Sequence, residues 1–312
     1  MKTFESLSSF ERVPNPVLTI GNYDGLHLGH RQIIERVSAR AAEISGTTML
    51  MTFYPHPLSV LSSAKLLGLI TPVEARKRLI EEAGIDVLLL LPFTEELRLT
   101  DPEVFVADIL VRKLGIKGLV VGYDFRFGKG GRGDTEMLAA FSSQYGFFFE
   151  KVDAITLNGE KIGSNRIRKL IIDGDVRKSE TFLGRPYAIE GRVLRGFGRG
   201  AGIGFPTINV ETEYELIPKN GVYVTEVRVD EKKYPSVTNI GYNPTFGSTA
   251  SRSIETFIID YAADLYGKGV TIYFHGRLRD EIKFDSVDEL KRQIQTDVDT
   301  AKAYFSKGRR TG

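Results

Sequence analysis

The chain has 312 residues, enough for two domains, and its 42 Lys+Arg against 40 Asp+Glu leave a net charge of +2. That balance excludes the broad basic field that nucleic-acid binding requires, and the count of 0 Cys excludes disulfides, thiol catalysis and cysteine metal sites. The amino-terminal MKTFESLSSFERVPNP has no signal-peptide core, and the longest apolar run, 87–91 with Pro92 and Phe93, is too short to span a membrane, so a cytoplasmic chain is expected.

Residues 17–20, Val-Leu-Thr-Ile, are apolar and rich in β-branched side chains, and read as a buried strand. Gly21 to Gly25 read as a turn, and 26–44 has helical periodicity with Leu28, Ile33, Ile34, Val37 and Ala41 on one side. His27 and His30 then share a face at the helix N-terminus, where free N–H groups and a partial positive charge suit a phosphate chain. Gly21, Gly25 and Gly29 remove side chains where backbone or phosphate must come close. Two imidazoles there can donate hydrogen bonds to charge building on an α-phosphate or a departing pyrophosphate. A zinc site would need further ligands than this pair.

Residues 48–54 form a second strand, stopped by Pro55-His56-Pro57, which places His56 at a strand's carboxyl end. A helix is expected over 71–83 with Thr71 as N-cap, a strand over 85–91, a helix over 101–114 and a strand over 118–121. Residues 122–134 hold five glycines and two arginines, with Asp124, Phe125, Arg126 and Phe127 among them, a loop suited to phosphates and rings. A helix over 135–145 and a strand over 147–152 follow. At 162–168, Ser164 and Arg168 flank a helix expected to begin near Arg166, again at an anion-binding junction, with one more helix over 169–183. Alternating strands and helices make this half an α/β doubly wound parallel sheet.

Beyond Leu183 the texture changes to short strands and turns, over 189–194, 221–229, 234–240, 253–259 and 270–277, with a helix over 286–305. That spacing indicates an antiparallel β-barrel with a C-terminal helix, and places the domains at 1–183 and 184–312. A glycine-rich stretch including Gly198, Arg199 and Gly204 leads into Thr207 and Asn209, which period two puts on one strand face. A hydroxyl and an amide oxygen are hard ligands suited to Mg²⁺ carrying ATP phosphates. Ser253, Glu255 and Phe257 share one side of another strand; the alternative is a solvent-facing glutamate.

The stretch GNYDGLHLGH at 21–30 closely resembles the GxFDGxHxGH signature of the nucleotidylyltransferases, with Tyr23 for Phe. With PHP at 55–57, the 122–134 loop, Ser164 to Arg168 and GFPTIN at 204–209, the chain resembles bacterial bifunctional riboflavin kinase/FAD synthetases from about 16 to 305. The resemblance implies an ATP site at Gly21, Tyr23, Asp24, Gly25, His27, His30, His56, Ser164 and Arg168. It implies flavin contacts at Asp124, Phe125, Arg126 and Phe127. In the kinase half it implies ATP contacts at Gly198, Arg199, Gly204, Thr207 and Asn209, with Mg²⁺ at Thr207 and Asn209. Catalytic roles fall to His27, His30 and, as base toward the riboflavin 5′-hydroxyl, Glu255. The sequence departs from the pattern at Gly163 and Asn165, where Ser and Thr are usual, and at Ala201 and Gly202.

The resulting expectation is an enzyme that phosphorylates riboflavin to FMN and adenylylates FMN to FAD. Its substrates are riboflavin, FMN and ATP, with no nucleic-acid or membrane partner. The rivals are a riboflavin kinase with a weakened adenylyltransferase domain, motivated by Gly163 and Asn165, and a non-catalytic flavin- or nucleotide-binding protein.

Overall fold

The computed structural model describes residues 1–57, 68–195, 201–243 and 251–308, which fall into two compact units, Met1–Ser164 and Asn165–Gly312. In the first, strand β4 (Val87–Leu91) reads VLLLL and is buried at every residue. Such runs are the mark of a parallel sheet covered on both faces. The six-stranded sheet has the order β1-β4-β3-β2-β5-β6, with β1 (Lys2–Phe4), β2 (Pro16–Ile20), β3 (Thr47–Phe53), β5 (Gly118–Gly122) and β6 (Phe148–Val152), every pairing parallel. Alternation along the strands sends Leu18, Met49, Met51, Leu89, Leu119 and Val121 to one core. Val17, Leu50, Leu88 and Val120 go to the other, against Ile34, Val37 and Ala41 of helix α1 (Leu28–Glu43). The chain leaves β2 toward β3 and β4, then crosses back to β5 and β6 on its other side. That reversal opens a crevice at the carboxyl ends of β2 and β5.

Several local expectations change. Strand β1 is too short to carry a pattern. Helix α2 is Val73–Glu82, and Thr71 does not cap it: its hydroxyl is engaged with the Asp24 carboxylate and the Gly25 N–H instead. A short helix α3 (Glu95–Leu99) precedes α4 (Pro102–Val104), which Asp101 caps at the Glu103 N–H. From Phe105 to Leu114 the turns widen to π-helical hydrogen bonding, ended by Gly115 in the left-handed region. Helix α5 (Thr135–Tyr145) lies where expected, and a small hairpin, β7 (Thr156–Leu157) with β8 (Glu160–Lys161), follows β6. The single helix expected over 169–183 is two, α6 (Ser164–Asp173) and α7 (Val176–Leu183). Gly174 breaks it at φ 84°, and Asp175 caps the second helix at the Lys178 N–H.

In the second unit, β9 (Tyr187–Leu194), β10 (Ile208–Glu211), β11 (Gly221–Val229), β12 (Lys232–Asn243), β13 (Ser251–Ile258) and β14 (Gly269–Arg279) close an antiparallel barrel in the order β10-β13-β12-β11-β14-β9. Tyr223 and Phe274 meet edge-on among the buried residues. Thr225, Ser236, Thr238 and Thr256, all fully buried, satisfy one another's hydroxyls at 2.8–2.9 Å. On the opposite strand face, Val222, Val224 and Val237 pack with Val298 and Ala301 of helix α8 (Val287–Gly308). The change of texture near Leu183 comes later than the division between the compact units, so α6 and α7 count with the barrel. Helix α7 packs on β9 and β14.

Candidate active sites

The turn after β2 is held from below. The Asp24 carboxylate is buried and accepts from the backbone N–H groups of Ile70 (3.1 Å) and Thr71 (3.0 Å). The Asn22 carbonyl accepts from Arg76 Nη1 at 2.8 Å and Thr52 Oγ1 at 3.1 Å. A trans peptide points its C=O and N–H in opposite directions, so the Tyr23 N–H is aimed away from these buried donors. Among the described residues nothing accepts from the backbone N–H groups of Asn22 or Tyr23. Two donors in succession make a concave anion site. Gly25, at φ 82°, brings its α-carbon so close to Ile70 that a Cβ would lie 2.9 Å from that side chain.

His27 is the N-cap of α1: its Nδ1 accepts the His30 N–H at 3.3 Å. The neutral ring therefore carries its proton on Nε2 and presents a donor there. The His27 and His30 rings stack at 3.6 Å, and the Tyr23 ring lies 4.8 Å from His30. Tyr23 is buried and bonded to Thr19, and burial pushes its phenol well above the usual value, so it stays protonated.

These groups open into a cleft of about 580 Å³ at the crevice between β2 and β5. Of the residues expected at an ATP site, Gly21, Tyr23, His27, His30 and Ser164 line it. Asp24 and Gly25 lie behind the wall as supports. His56 is buried beyond β3, while its neighbours Phe53 and Pro57 reach the wall. Arg168 is buried in the second unit and donates to the Asn165 amide oxygen at 2.7 Å. The flavin candidates Asp124, Phe125, Arg126 and Phe127 all line the cleft. Phe127, however, is a core residue, stacked on Phe125 and packed on Phe105 at 5.7 Å. Arg126 is held at 3.3 Å by Asp134, which caps α5.

On the barrel, antiparallel register sets Asn209 opposite Glu255, and Glu255 opposite Asn239 on its other side. Directly opposed residues point to the same face, so Glu255 stands between two amides, on the face that carries Phe257 and Val237. Thr207 lies immediately ahead of β10 and is half-buried, as are Asn209 and Glu255. Gly204 holds φ 87°. Gly198 and Arg199 lie outside the described residues.

The family model for FAD synthetase matches residues 10–166, and that for riboflavin kinase matches 183–305. The bifunctional riboflavin kinase/FMN adenylyltransferase of Escherichia coli strain K12 is 35% identical over 308 residues, covering 98% of each chain. The chain belongs to this family. That of Listeria monocytogenes is 35% identical over 295 residues, covering 94% of this chain and 93% of its own. The solved structure of a macrolide-efflux protein from Streptococcus pneumoniae superposes with a TM-score of 0.89 at 29% identity, covering 96% of this chain and 98% of that one. Among the described residues here, no helix is long and apolar enough to cross a membrane.

Some residues around these candidate sites carried no sequence signal. Arg76 sits in EARKRLIEE, where nothing separates it from the neighbouring surface charges. Tyr123, at the cleft wall, has Lys161 Nζ of the β7–β8 hairpin 3.9 Å from its ring centre, a contact with no local sequence signal. Asn239 could not be paired with Glu255 from local spacing, because their closeness is a matter of strand register.

Proposed function

We infer that the chain is a bifunctional enzyme: it phosphorylates riboflavin with ATP to give FMN, then transfers AMP from a second ATP to FMN, giving FAD and pyrophosphate. The observation that carries this reading is the pairing of two family matches with two chemically apt constellations, the histidine stack of the cleft and the Asn209–Glu255 row of the barrel.

In the kinase step the Glu255 carboxylate takes the proton of the riboflavin 5′-hydroxyl as its oxygen attacks the γ-phosphate and ADP departs with the bridging oxygen, a contribution of about 10²–10⁴-fold. Thr207 and Asn209 would hold Mg²⁺. Their neutral oxygens fit a hard cation that brings ATP oxygens and water as most of its shell, and among the described residues no cluster of three or more His, Cys, Asp or Glu competes. Bound there, the cation would neutralise charge on the transferred group. In the adenylyl step an FMN phosphate oxygen attacks the α-phosphate of ATP. His27 and His30 donate to the charge that develops, and the Asn22 and Tyr23 N–H groups hold phosphate oxygens. Phe125 and Tyr123 offer ring surface at the cleft wall. No covalent protein intermediate is needed, so positioning and charge stabilisation do the catalysis.

We place adenylyl transfer in 1–183 and phosphorylation in 184–312; α6 and α7 are the stretch on which this division and the compact units differ. A cytoplasmic site of action belongs to the same proposal, since both steps consume ATP. The test is to supply riboflavin, ATP and Mg²⁺ to the purified chain and separate the flavins. FMN followed by FAD is expected. FMN alone would favour a kinase with a weakened adenylyltransferase, and neither product would mean a binding protein.

A further inference from the structure

Arg76 is only 1% exposed, yet among the described residues its side chain makes one hydrogen bond, Nη1 to the Asn22 carbonyl at 2.8 Å. Its Nη2 is buried with no acceptor among the described residues. A buried guanidinium with an orphaned donor is a poor way to stabilise a fold, because desolvation outweighs one bond to a neutral carbonyl and an apolar side chain of similar volume would serve better. What the bond does achieve is geometric. Together with Thr52 Oγ1 at 3.1 Å it draws the Asn22 carbonyl inward, which turns the Tyr23 N–H of the same peptide toward the cleft. Tyr23 adopts φ 50° there, a conformation disfavoured for a ring-bearing residue. Released from Arg76 and Thr52, that peptide is free to rotate and present an oxygen to the anion instead. The charge acts in the same direction: a cation buried beneath the turn, where screening is weak, favours negative charge above it. Burial lowers the guanidinium from its ordinary value, opposed by Asp24 and Tyr54.

We propose that Arg76 is a positioning residue of the adenylyl-transfer cleft: it holds the Asn22–Tyr23 peptide with the Tyr23 N–H toward the phosphates and sets a positive charge beneath them. This rests on the cleft being the adenylyl-transfer site. The test compares Arg76→Met, Arg76→Lys and Thr52→Val in the full chain. Steady-state FAD formation from FMN and Mg-ATP, pyrophosphate binding by calorimetry, and riboflavin phosphorylation are measured for each. Binding shared by ground and transition states appears in KM rather than kcat. Arg76→Met should therefore raise KM for ATP about 30- to 100-fold with kcat changed less, and weaken pyrophosphate binding in parallel. Arg76→Lys, which keeps charge and a donor, should recover at least tenfold of that loss. Thr52→Val should cost about 3- to 10-fold, and riboflavin phosphorylation should hold throughout. A folded Arg76→Met with KM and pyrophosphate affinity within twofold of the parent, and only a lower melting temperature, would overturn the proposal. If Arg76→Met does not fold, unchanged KM in both Arg76→Lys and Thr52→Val overturns it equally. A parent that makes FMN but no FAD would instead refute the functional reading, and the pyrophosphate affinities would still decide the role of Arg76.

Discussion

In the cleft of the first unit the groups that line the wall come from turns: Asn22 and Tyr23 through their backbone, His27 as a helix cap, Phe125 from the loop after β5. On the barrel, Asn209, Glu255 and Asn239 stand on the neighbouring strands β10, β13 and β12 and are aligned by the ladder itself. A ladder repeats, so register positions its side chains without extra parts. A turn has no such repeat and must be tied down by particular bonds. Here those are the Asp24 carboxylate on Ile70 and Thr71, and Arg76 with Thr52 on Asn22. The cleft should therefore be sensitive to residues that no ligand touches, and the barrel row chiefly to the residues in it.

The largest expected effect separates the two sites outright. His30→Ala should lower FAD formation about 10²–10³-fold, as for loss of one transition-state donor, and leave FMN formation within a factor of about two. Glu255→Gln should do the reverse, slowing riboflavin phosphorylation about 10²–10⁴-fold while FAD formation from supplied FMN persists. Parallel loss of both activities in either variant, with circular dichroism unchanged, would contradict the assignment of the steps to different units.

A second experiment concerns where the barrel unit begins. Helix α7 buries Val176, Phe182 and Leu183, each contributing about 1.5–3 kcal/mol when fully buried. Fragment 165–312 should fold and make FMN, and fragment 184–312 should melt lower by roughly 10 °C or more. Equal melting temperatures would show that α6 and α7 do not belong to the barrel's folding unit.

A smaller effect is expected at Gly163. A Cβ there would meet nothing within 4 Å, so Gly163→Ser restores the family's hydroxyl at the cleft wall without strain. One neutral hydrogen bond is worth about 0.5–1.5 kcal/mol, so KM for ATP should fall about twofold to tenfold with kcat unmoved. A rise in kcat at constant KM would mean that the hydroxyl acts in the transition state. Asn165→Thr is the less clean substitution, because Asn165 accepts from Arg168.

The smallest effect is in pH dependence. His275 packs on Tyr304 (5.6 Å) and Phe305 (5.3 Å) of α8, and its Nε2 is buried without a partner among the described residues. Burial lowers its affinity for a proton, with Glu226 opposing and Lys233 reinforcing. The unfolded chain therefore binds the proton more readily. The stability that neutral His275 contributes is present above about pH 6.5 and is lost as pH falls below that. His275→Phe should flatten the fall in barrel melting temperature between about pH 7 and 5; an unchanged slope would assign that fall to other groups.

Much of the architecture was legible in the residues because it is periodic. Runs such as VLLLL and the 3.6-residue spacing of Ile34, Val37 and Ala41 announce buried strands and a helix face before any contact is known. The turn chemistry of Gly21 to His30 pointed to a candidate anion site for the same local reason. Local signals failed where a partner distant in sequence takes the group in question. Thr71 has the composition of a helix cap, but Asp24, 47 residues away, claims its hydroxyl.

By itself, then, the sequence determined two α/β and β regions, a glycine–histidine turn at a helix start, and a Thr-x-Asn strand with a glutamate to follow. These depend on interactions within a few residues, which composition and spacing express. Only the tertiary structure decided that Asp24 supports the turn rather than facing the cleft, that Arg76 lies buried beneath Asn22, and that Glu255 stands between Asn209 and Asn239. Each of those depends on which strand or loop lies alongside, and that is set by the sheet order and barrel closure through the burial of both cores, with no trace in local spacing.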